Sequence, residues 1–406
     1  MQIQPILAAL KKHKLATFLI AMEIALACAV LVNATSMIAT NLAKMSIVSG
    51  VDESSLGIIV VNGFDPKRAT DVNARMVAGL QQIPGVESVH VVSTVPFGPQ
   101  WGVGGISLEQ SGKHTPAVIA FYEGDPGSTK ALGLKLVAGT WPSAGDYQQQ
   151  PKTGYFPNSS RVLMTRELAE KLWPGENPLG KTFWASPNQF RVIGIVANLV
   201  MAQPAAFEKR RPGYSVFVPM QPGARLSGTY LVRAQPQDLQ RVMTEARAKV
   251  RTIAPDVVLD RTDSHTIGHL RHAFFKTDRS MAGLLIGVIV ALLGVTALGI
   301  VGLASFWVSQ RTKQIGIRRA LGATRGNILS YFQTENFLIV TFGIVLGIIL
   351  AVAINLVLMK HFEVARLPYW YLPVAAVVLW VLGQLAVLAP ALRAARVPPV
   401  VATRSV

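Results

Sequence analysis

The chain has 406 residues, of which 50% are hydrophobic, and its 39 Lys and Arg against 22 Asp and Glu give a formal net charge of +17 at pH 7. So large a basic excess could indicate nucleic-acid binding, but the basic residues cluster at the ends of long apolar runs, which argues against nucleic acid and for a membrane protein. The single cysteine, Cys28, excludes an internal disulfide and a cysteine-rich metal site.

Four apolar runs are long enough to cross a bilayer, because roughly 20 residues rising ~1.5 Å each span its ~30 Å core. We predict transmembrane helices over 15–42, 277–308, 328–359 and 369–388. The first run follows the basic segment KKHK, as in a signal peptide, but its apolar part is far longer than the ~7–15 residues usual there. We therefore interpret it as an uncleaved anchor.

One acid, Glu23, lies within the first predicted span. An acidic side chain inside a bilayer is costly, so it usually faces protein or water rather than lipid. Glu23 also lies only about two turns from the cytoplasmic end, from where its side chain could snorkel to the interface. Both interpretations remain open.

Basic residues predict which segments are cytoplasmic. Three segments, 1–14, 309–327 and 389–406, contain no Asp or Glu. Their basic residues include Lys11, Lys12, Lys14, Arg311, Lys313, Arg318, Arg319, Arg325, Arg393, Arg396 and Arg404. Because Lys and Arg in short loops resist translocation, we place these segments in the cytoplasm, and 43–276 and 360–368 on the other side.

The external segment is long enough for two small lobes. It begins with strand, helix and strand patterns (SLGIIVVNGF, ATDVNARMVAGLQQI, ESVHVVSTV) and ends with strands TYLVR and DVVLD around a helix over 236–253. This predicts a split βαβ lobe at about 50–135 and 225–262, with a mostly β insertion at about 136–224. The predicted fold class is an α-helical membrane protein with four transmembrane helices and an α+β extracytoplasmic domain.

A phosphate-loop pattern, G-x-x-x-x-G-K-[ST], occurs at Gly175 to Thr182 as GENPLGKT. Such a loop binds phosphate where a strand precedes it and a helix follows. Here the helical pattern TRELAEKLW precedes it, the strand-like TFWASPNQF follows, and Pro178 interrupts it. We predict a turn between a helix and a strand instead of a nucleotide site.

His265, His269 and His272 are spaced as one face of a helix, which we predict over 264–276 as a stalk running into the second span. Imidazoles bind metals, but no nearby acid or Cys completes a tetrahedral set. We expect no metal site and, without a G-x-S-x-G motif, no catalytic residue of the serine-hydrolase type. No other catalytic constellation is found.

The basic loop, residues 309–327, lies between the second and third spans. From Arg311 onward it reads RTKQIGIRRALGATRGNI, a helix-forming segment without acids. We expect Ile315, Ile317 and Leu321 to be available for another protein to pack against.

The third span has Gly343, Gly347, Ala351 and Asn355 at four-residue spacing. Small residues spaced in this way let another helix approach closely, and an Asn can hydrogen-bond across the contact. The second helix could belong to the same chain or to a second copy, so the stripe predicts helix packing or a dimer contact equally well.

Several motifs resemble a known family. IGIRRALGA at Ile315 to Ala323 and the C-terminal LAPALRAARVPPVVA resemble the FtsX-like permeases of bacterial ABC transporters, which would occupy about 281–400. PGVESV, LGLKLVAGTWPSAGD and RVLMTRELAEKLWPGENPLGKTF resemble the MacB-like periplasmic core domain. The resemblance implies that the split βαβ lobe is porter-like and that the insertion is sabre-like.

The resemblance also implies a type VII ABC permease subunit, which is not an enzyme and binds no cofactor itself. In this family a cytoplasmic ATPase holds ATP and Mg and grips a coupling helix. Only LSGTY at Leu226 to Tyr230 resembles an ABC signature here, so we expect a separate ATPase subunit. The residues implied for the coupling helix are Arg311, Gln314, Ile315, Ile317, Arg318, Arg319, Leu321 and Gly322.

Gln314 departs from the family pattern, which commonly has Glu at this position. The loss of a charged contact would leave Ile315, Ile317 and Leu321 as the expected anchors in a groove of the ATPase.

The family works as dimers in the bacterial inner membrane, so expected partners are membrane lipid, an ABC ATPase and a second permease copy or a sibling permease. We expect ATP-driven motion to serve efflux or export of a peptide, antibiotic, lipid or lipoprotein, in which a periplasmic adaptor and an outer-membrane channel could take part. The alternatives are an FtsX-type regulator of a cell-wall hydrolase and a membrane-anchored periplasmic sensor or binding module. The sequence does not identify the substrate.

Overall fold

The structure is a computed structural model that describes residues 14–149, 156–157, 159–204, 211–362 and 367–398. Lys11, Lys12 and Arg404, used above to predict the topology, lie outside the described residues, as do residues 363–366 of the predicted loop 360–368. The chain forms two compact units, one of Met1–Ser46 with Thr277–Val406 and the other of Ile47–Lys276.

The described helices are numbered in chain order. They are α1 (Lys14–Met45), α2 (Ala69–Gln81), α3 (Ser128–Ala131), α4 (Arg166–Leu172), α5 (Leu239–Ile253), α6 (Ile267–Phe274), α7 (Lys276–Gln310), α8 (Thr312–Ala320), α9 (Arg325–Phe362) and α10 (Tyr371–Ala395). Two short 3₁₀ turns occupy Pro66–Arg68 and Ala144–Asp146.

The described strands are numbered in the same way. They are β1 (Leu56–Asn62), β2 (Val86–Val91), β3 (Val103–Ile106), β4 (Ala117–Gly124), β5 (Leu136–Gly139), β6 (Ser159–Thr165), β7 (Thr182–Ala185), β8 (Asn188–Val196), β9 (Ser215–Pro219), β10 (Thr229–Ala234) and β11 (Val258–Asp260).

Four helices of the first unit, α1, α7, α9 and α10, are long and apolar enough to cross a membrane, as predicted. Helix α10 continues to Ala395, past the predicted end at 388, because the residues ALRAA favour a helix. Helix α9 packs along α1 and α10. Helix α7 is the least covered, with 11% of its most apolar window buried against 44% for α1.

The first sheet of the second unit has the order β11-β1-β10-β2, with every pair antiparallel. Helix α2 connects β1 to β2 and helix α5 connects β10 to β11, and both pack on this sheet. The two ends of the segment thus interleave, as the repeated strand and helix patterns predict. Buried residues of the sheet and of both helices, including Val72, Met76, Tyr230 and Val242, form its core.

The second sheet has seven strands in the order β3-β4-β9-β6-β8-β5, with β7 also paired to β8. A bridge between Ser107 and Trp184 joins the end of β3 to β7. The strands therefore curl into a ring that encloses Phe121, Phe183 and Phe190.

Strands β3 and β4 belong to this second sheet, which therefore begins near Val103 rather than at the predicted boundary of 136. Strand β4 is buried along its length and pairs with β9, far along the chain. Such distant pairing cannot be inferred from a local pattern.

Candidate functional site

The basic loop contains one short helix, α8 (Thr312–Ala320). It ends because Gly322 takes a left-handed conformation, φ 97°, which suits glycine after a helix. The amides of Gly322 and Ala323 donate to the carbonyl oxygens of Arg319 and Arg318, at 3.2 and 3.0 Å. Helix α8 therefore occupies only part of the basic loop 309–327, and a turn separates it from α9.

An ion pair fixes the start of α8 to α9. The guanidinium of Arg311 donates to both carboxylate oxygens of Glu335, at 3.1 and 3.0 Å. The side chain of Arg311 is 13% exposed and that of Glu335 is 1% exposed. Removing one member of a buried pair typically costs about 3–5 kcal/mol, because the other charge is left without a partner. This pair therefore holds the start of α8 against α9 at Glu335.

Sequence reasoning missed Glu335. The signal was available, since Glu335 is an acid inside an apolar run and such acids usually face protein or water. Its partner, Arg311, was predicted as a charge that sets the topology and as a residue of the coupling helix, but not as the partner of a buried acid.

The inward face of α8 is apolar. Ile315 is 4% exposed and packs against Ile328, Phe332 and Ala391. The expectation that Ile315 is available to another protein is therefore wrong, because the helix turns this side chain towards its own chain.

The outward face of α8 keeps the other two predicted anchors accessible. Ile317 is 45% exposed and Leu321 is 83% exposed. A cleft of about 170 Å³ lies beside this helix. It is lined by Arg311, Gln314, Ile315, Arg318, Ile328, Tyr331 and Phe332. Exposed apolar side chains next to a basic cleft can bind a protein that presents an apolar and acidic surface.

Two further arginines hold α8 in place. The guanidinium of Arg318 lies 5.0 Å from the centre of the Tyr331 ring, a cation–π distance. Arg319 donates to the carbonyl oxygen of Val397, beyond the end of α10. Helix α8 is thus tied both to α9 and to the segment that follows α10.

The small-residue stripe of α9 faces α1 of the same chain. A Cβ atom at Gly347 would lie 2.8 Å from the carbonyl oxygen of Ala25, and one at Gly343 would lie 3.0 Å from that of Ala21. Further along, Asn33 donates to the carbonyl oxygen of Ala351 at 3.1 Å. Of the two partners left open by the sequence, the structure places α1 against these residues.

Asn355, the last residue of the stripe, accepts a hydrogen bond from the amide of Leu367 at 3.1 Å. This polar residue therefore bonds within the same chain, near the start of α10.

Glu23 lies against α7. A Cβ atom at Gly299 would meet one carboxylate oxygen of Glu23 at 2.8 Å. The carboxylate therefore faces a neighbouring helix of its own unit, and the absence of a side chain at Gly299 makes room for it.

In the second unit, Arg271 joins helix α6 to the segment that follows α1. Its guanidinium donates to the carboxylate of Glu53 and to the carbonyl oxygen of Ile47, each at 2.6 Å. The same group lies 5.1 Å from the centre of the Phe97 ring. Because α6 precedes α7 in sequence and Ile47 follows α1, Arg271 connects the two ends at which the second unit continues into membrane helices.

Phe97 has a strained backbone. Its φ of 63° is the one positive value among the described residues other than glycine. Its ring lies 5.8 Å from that of Phe274 and 5.7 Å from that of Phe275. Such a conformation costs about 1–3 kcal/mol and persists only where the surroundings hold it. The aromatic contacts and Arg271 supply that constraint.

The predicted stalk helix begins later than expected. Helix α6 starts at Ile267 after the capping residue Thr266, whose hydroxyl accepts from the amide of His269. His265 therefore precedes the helix, and its ring stacks on that of His269 with centres 4.0 Å apart.

His265 is held by a basic neighbour. The guanidinium of Arg247 donates to its Nδ1 at 3.0 Å. Burial, together with the charges of His269 and Arg247, lowers the pKa of His265. This ring nitrogen is occupied by a donor, and no group of three or more possible metal ligands is found among the described residues.

The GENPLGKT segment connects α4 to β7, so the helix-before and strand-after arrangement predicted for it is confirmed. Lys181 pairs with Glu176 and lies 5.5 Å from the centre of the Trp173 ring. The Lys181 ammonium is therefore paired with a carboxylate of the same segment, whereas the lysine of a phosphate-binding loop would bind phosphate.

Comparison with known families gives two matches. The model of the MacB-like periplasmic core domain matches residues 16–250, and that of the FtsX-like permease C-terminal region matches 286–399.

Two curated relatives illustrate the similarity. A macrolide export ATP-binding/permease protein MacB of Neisseria gonorrhoeae is 24% identical over 376 residues, which cover 89% of this chain and 53% of the relative. The MacB protein of Marinobacter nauticus is 28% identical over 224 residues, covering 53% of this chain and 34% of the relative. The chain spans about half the length of the curated relatives it matches.

Two solved structures are also similar to part of the chain. The extracellular domain of the ABC-type transporter YknZ from Gram-positive bacteria has 14% identity and a TM-score of 0.33, covering 51% of this chain and all of that domain. The periplasmic region of MacB from Actinobacillus actinomycetemcomitans has 17% identity and a TM-score of 0.32, covering 54% of this chain and 94% of that region.

Proposed function

This chain belongs to the family of permeases that have a MacB-like periplasmic core domain and an FtsX-like C-terminal region, and from that premise we propose that it transmits ATP-driven motion across the bacterial inner membrane. A separate cytoplasmic ABC ATPase would bind ATP and Mg and supply the motion. The termini and the basic loop would lie in the cytoplasm and the second unit in the periplasm.

The two faces of helix α8 are the observation that carries this proposal. Its inner face is fixed by the buried pair of Arg311 and Glu335 and by the packing of Ile315. Its outer face leaves Ile317 and Leu321 exposed. A helix attached firmly to membrane helices on one side and open on the other can pass a push from a bound protein to those helices.

The ATPase would bind the outer face of α8. Ile317 and Leu321 would enter an apolar groove, and Lys313 and Gln314 are exposed beside them. A few well-packed and fully desolvated residues usually carry most of the binding free energy of such an interface.

A displacement of the basic loop would reach the second unit along the polypeptide, through α7. Helix α7 connects the basic loop to Phe275 and then to α6. Arg271 on α6 bonds to Ile47 and Glu53, so a displacement of α6 would also act on the segment that follows α1. The second unit would then change shape and act on a cargo or on a partner.

Binding to the ATPase tests the proposal directly. The double variant Ile317→Ser with Leu321→Ser should lose co-purification with the ABC ATPase encoded nearest to this chain. Because both side chains are exposed, the variant should unfold at the temperature of the wild type. Val258→Ser is the matched control, since Val258 is 66% exposed but lies in the second unit. Normal co-purification of the double variant would refute this binding face.

Export is the cargo-moving role that the relatives' names support, and a peptide, antibiotic, lipid or lipoprotein would be the cargo. In such a system the permease would act as a dimer, with an adaptor and an outer-membrane channel as further partners. Regulation of a cell-wall hydrolase would use the same coupling without a cargo. A sensor without an ATPase would leave the outer face of α8 unbound, so the co-purification experiment also separates that alternative.

A further inference from the structure

The ring of strands in the second unit has an open seam. The bridge between Ser107 and Trp184 closes one end of the seam between β3 and β7. Strand β7 ends at Ala185 and the chain then turns at Ser186 and Pro187, so it cannot continue beside β3. A groove of about 750 Å³ opens there. Its walls include Gly102 to Gly105 on one side and Ala185 to Asn188 on the other.

The edge of β3 turns hydrogen-bonding groups into this groove. Ser107 exchanges both backbone hydrogen bonds with Trp184, at 2.8 Å each. Because backbone direction alternates along a strand, Gly105 and Val103 turn their N–H and C=O groups to the same side as Ser107. The opposite edge already faces β4, as the 2.9 Å bond from the Phe121 amide to the Gly102 carbonyl oxygen shows.

The floor of the groove is apolar. Gly104 carries no side chain, and a Cβ atom there would lie 3.4 Å from the Phe121 ring. Phe121 and Phe156 are 4% and 7% exposed, and their rings are 4.9 Å apart. A side chain of a bound molecule placed over Gly104 would therefore meet aromatic rings.

Among the described residues that line the groove, Arg225 is the one with a charged side chain, and it is paired with a buried acid. Its guanidinium bonds to a carboxylate oxygen of Glu123 at 2.8 Å, and the Glu123 side chain is fully buried. The guanidinium also lies 5.3 Å from the centre of the Trp101 ring and 5.2 Å from that of Phe156. The described lining of the groove thus offers aromatic surface without a net charge, together with strand hydrogen bonds.

We propose that this groove binds an extended, uncharged peptide segment, which adds to the edge of β3 as a further strand. The peptide would pair with the backbone groups of Val103 and Gly105 and place an apolar side chain over Gly104. An acyl chain fits the same groove less well, because it would leave those N–H and C=O groups unpaired once water is displaced.

The experiment uses the full chain in lipid nanodiscs, without any ATPase, so its outcome is independent of the coupling proposal. The probe is a fluorescein-labelled hexapeptide of alternating Thr and Val, followed by fluorescence anisotropy. We expect saturable binding. If no saturable binding is found up to about 1 mM protein, the binding free energy is weaker than about −4 kcal/mol and the proposal is overturned.

A variant at Val103 tests the strand pairing. Val103→Pro removes an N–H that faces the groove, and proline is tolerated at the first residue of an edge strand. Val103→Thr is the matched control, because it keeps the N–H and nearly the same shape. We expect the proline variant to bind about 2- to 12-fold more weakly than the threonine variant, the effect of one net hydrogen bond. Equal affinities would overturn the proposal.

A modified probe gives the same test without changing the protein, should Val103→Pro fail to fold. Two hexapeptides are N-methylated on alternate amides, one on each edge of the extended chain. We expect methylation of one edge to abolish binding and methylation of the other edge to have little effect, because only one edge of the peptide faces β3. Equal binding of the two methylated probes would identify an apolar site without strand pairing and overturn the proposal. Displacement of the peptide by palmitate would then identify the occupant of that site as an acyl chain.

Discussion

The carboxylate of Glu335, on the third membrane helix, accepts two hydrogen bonds from Arg311, the residue that precedes helix α8. We expect Glu335→Gln to destabilise the protein by about 3–5 kcal/mol, because Arg311 would remain buried without a counter-charge. Thermal unfolding in detergent measures this effect. The double variant Arg311→Met with Glu335→Met should be more stable than either single variant, because it leaves no buried charge. Additive losses in the double variant would show that the two residues do not interact.

The contact between α9 and α1 gives a second prediction. Gly347→Ala adds a methyl group that would lie 2.8 Å from the Ala25 carbonyl oxygen, so the two helices must separate. We expect a loss of about 1–3 kcal/mol in thermal unfolding. Gly302→Ala on α7 is the control, since no atom of the described residues lies within 4 Å of its added carbon. Similar losses in both variants would mean that the stripe has no special role.

Phe97 allows a test of backbone strain, because at this position a glycine variant should be more stable than an alanine variant. Alanine normally stabilises a protein relative to glycine, by roughly 0.5–1 kcal/mol in regular structure. At φ 63° we expect Phe97→Gly to be more stable than Phe97→Ala, by about 1 kcal/mol, because glycine accepts this conformation without strain. Chemical denaturation of the two variants measures the difference. A less stable glycine variant would contradict the strained geometry.

His265 predicts a pH dependence. Its pKa in the folded protein is lowered, by burial first and then by the charges of His269 and Arg247. Below the unfolded value of about 6.5, the unfolded state therefore binds more protons than the folded one. Stability should fall as the pH drops from about 7 through that value, and His265→Gln should reduce this dependence. Thermal unfolding measured across this pH range tests the prediction. If stability depends on pH as steeply in His265→Gln as in the wild type, His265 is not the group responsible.

The apolar runs and the repeated strand and helix patterns predicted much of this fold. A membrane helix needs a long apolar run, and a split sheet reveals itself when the same pattern occurs at both ends of a segment. The features that were missed depend on distant pairing. Strand β4 pairs with β9, and Arg311 pairs with Glu335. An acid in an apolar run marks Glu335 as a residue that needs a partner, but local sequence does not identify Arg311 as that partner, or β9 as the partner of β4.

The predicted interaction residues show the same limit. Ile315 and Ile317 lie two positions apart in one apolar pattern, yet one is buried and the other is 45% exposed. Helix geometry places residues two apart on different sides, but the sequence does not say which side the membrane helices cover. The stripe at Gly343 and Gly347 predicted helix packing or a dimer contact equally well, and its partner helix, α1, emerged only from the structure.

Hydrogen exchange measured by mass spectrometry tests the central proposal, transmission from helix α8 to the second unit, most directly. The permease and its ATPase would be compared in nanodiscs with and without a non-hydrolysable ATP analogue. We expect the nucleotide to change exchange at α6 and at 47–53 in the wild type. In the double variant Ile317→Ser with Leu321→Ser, that change should be absent. The same nucleotide-dependent change in both proteins, or no change in the wild type, would contradict the proposal.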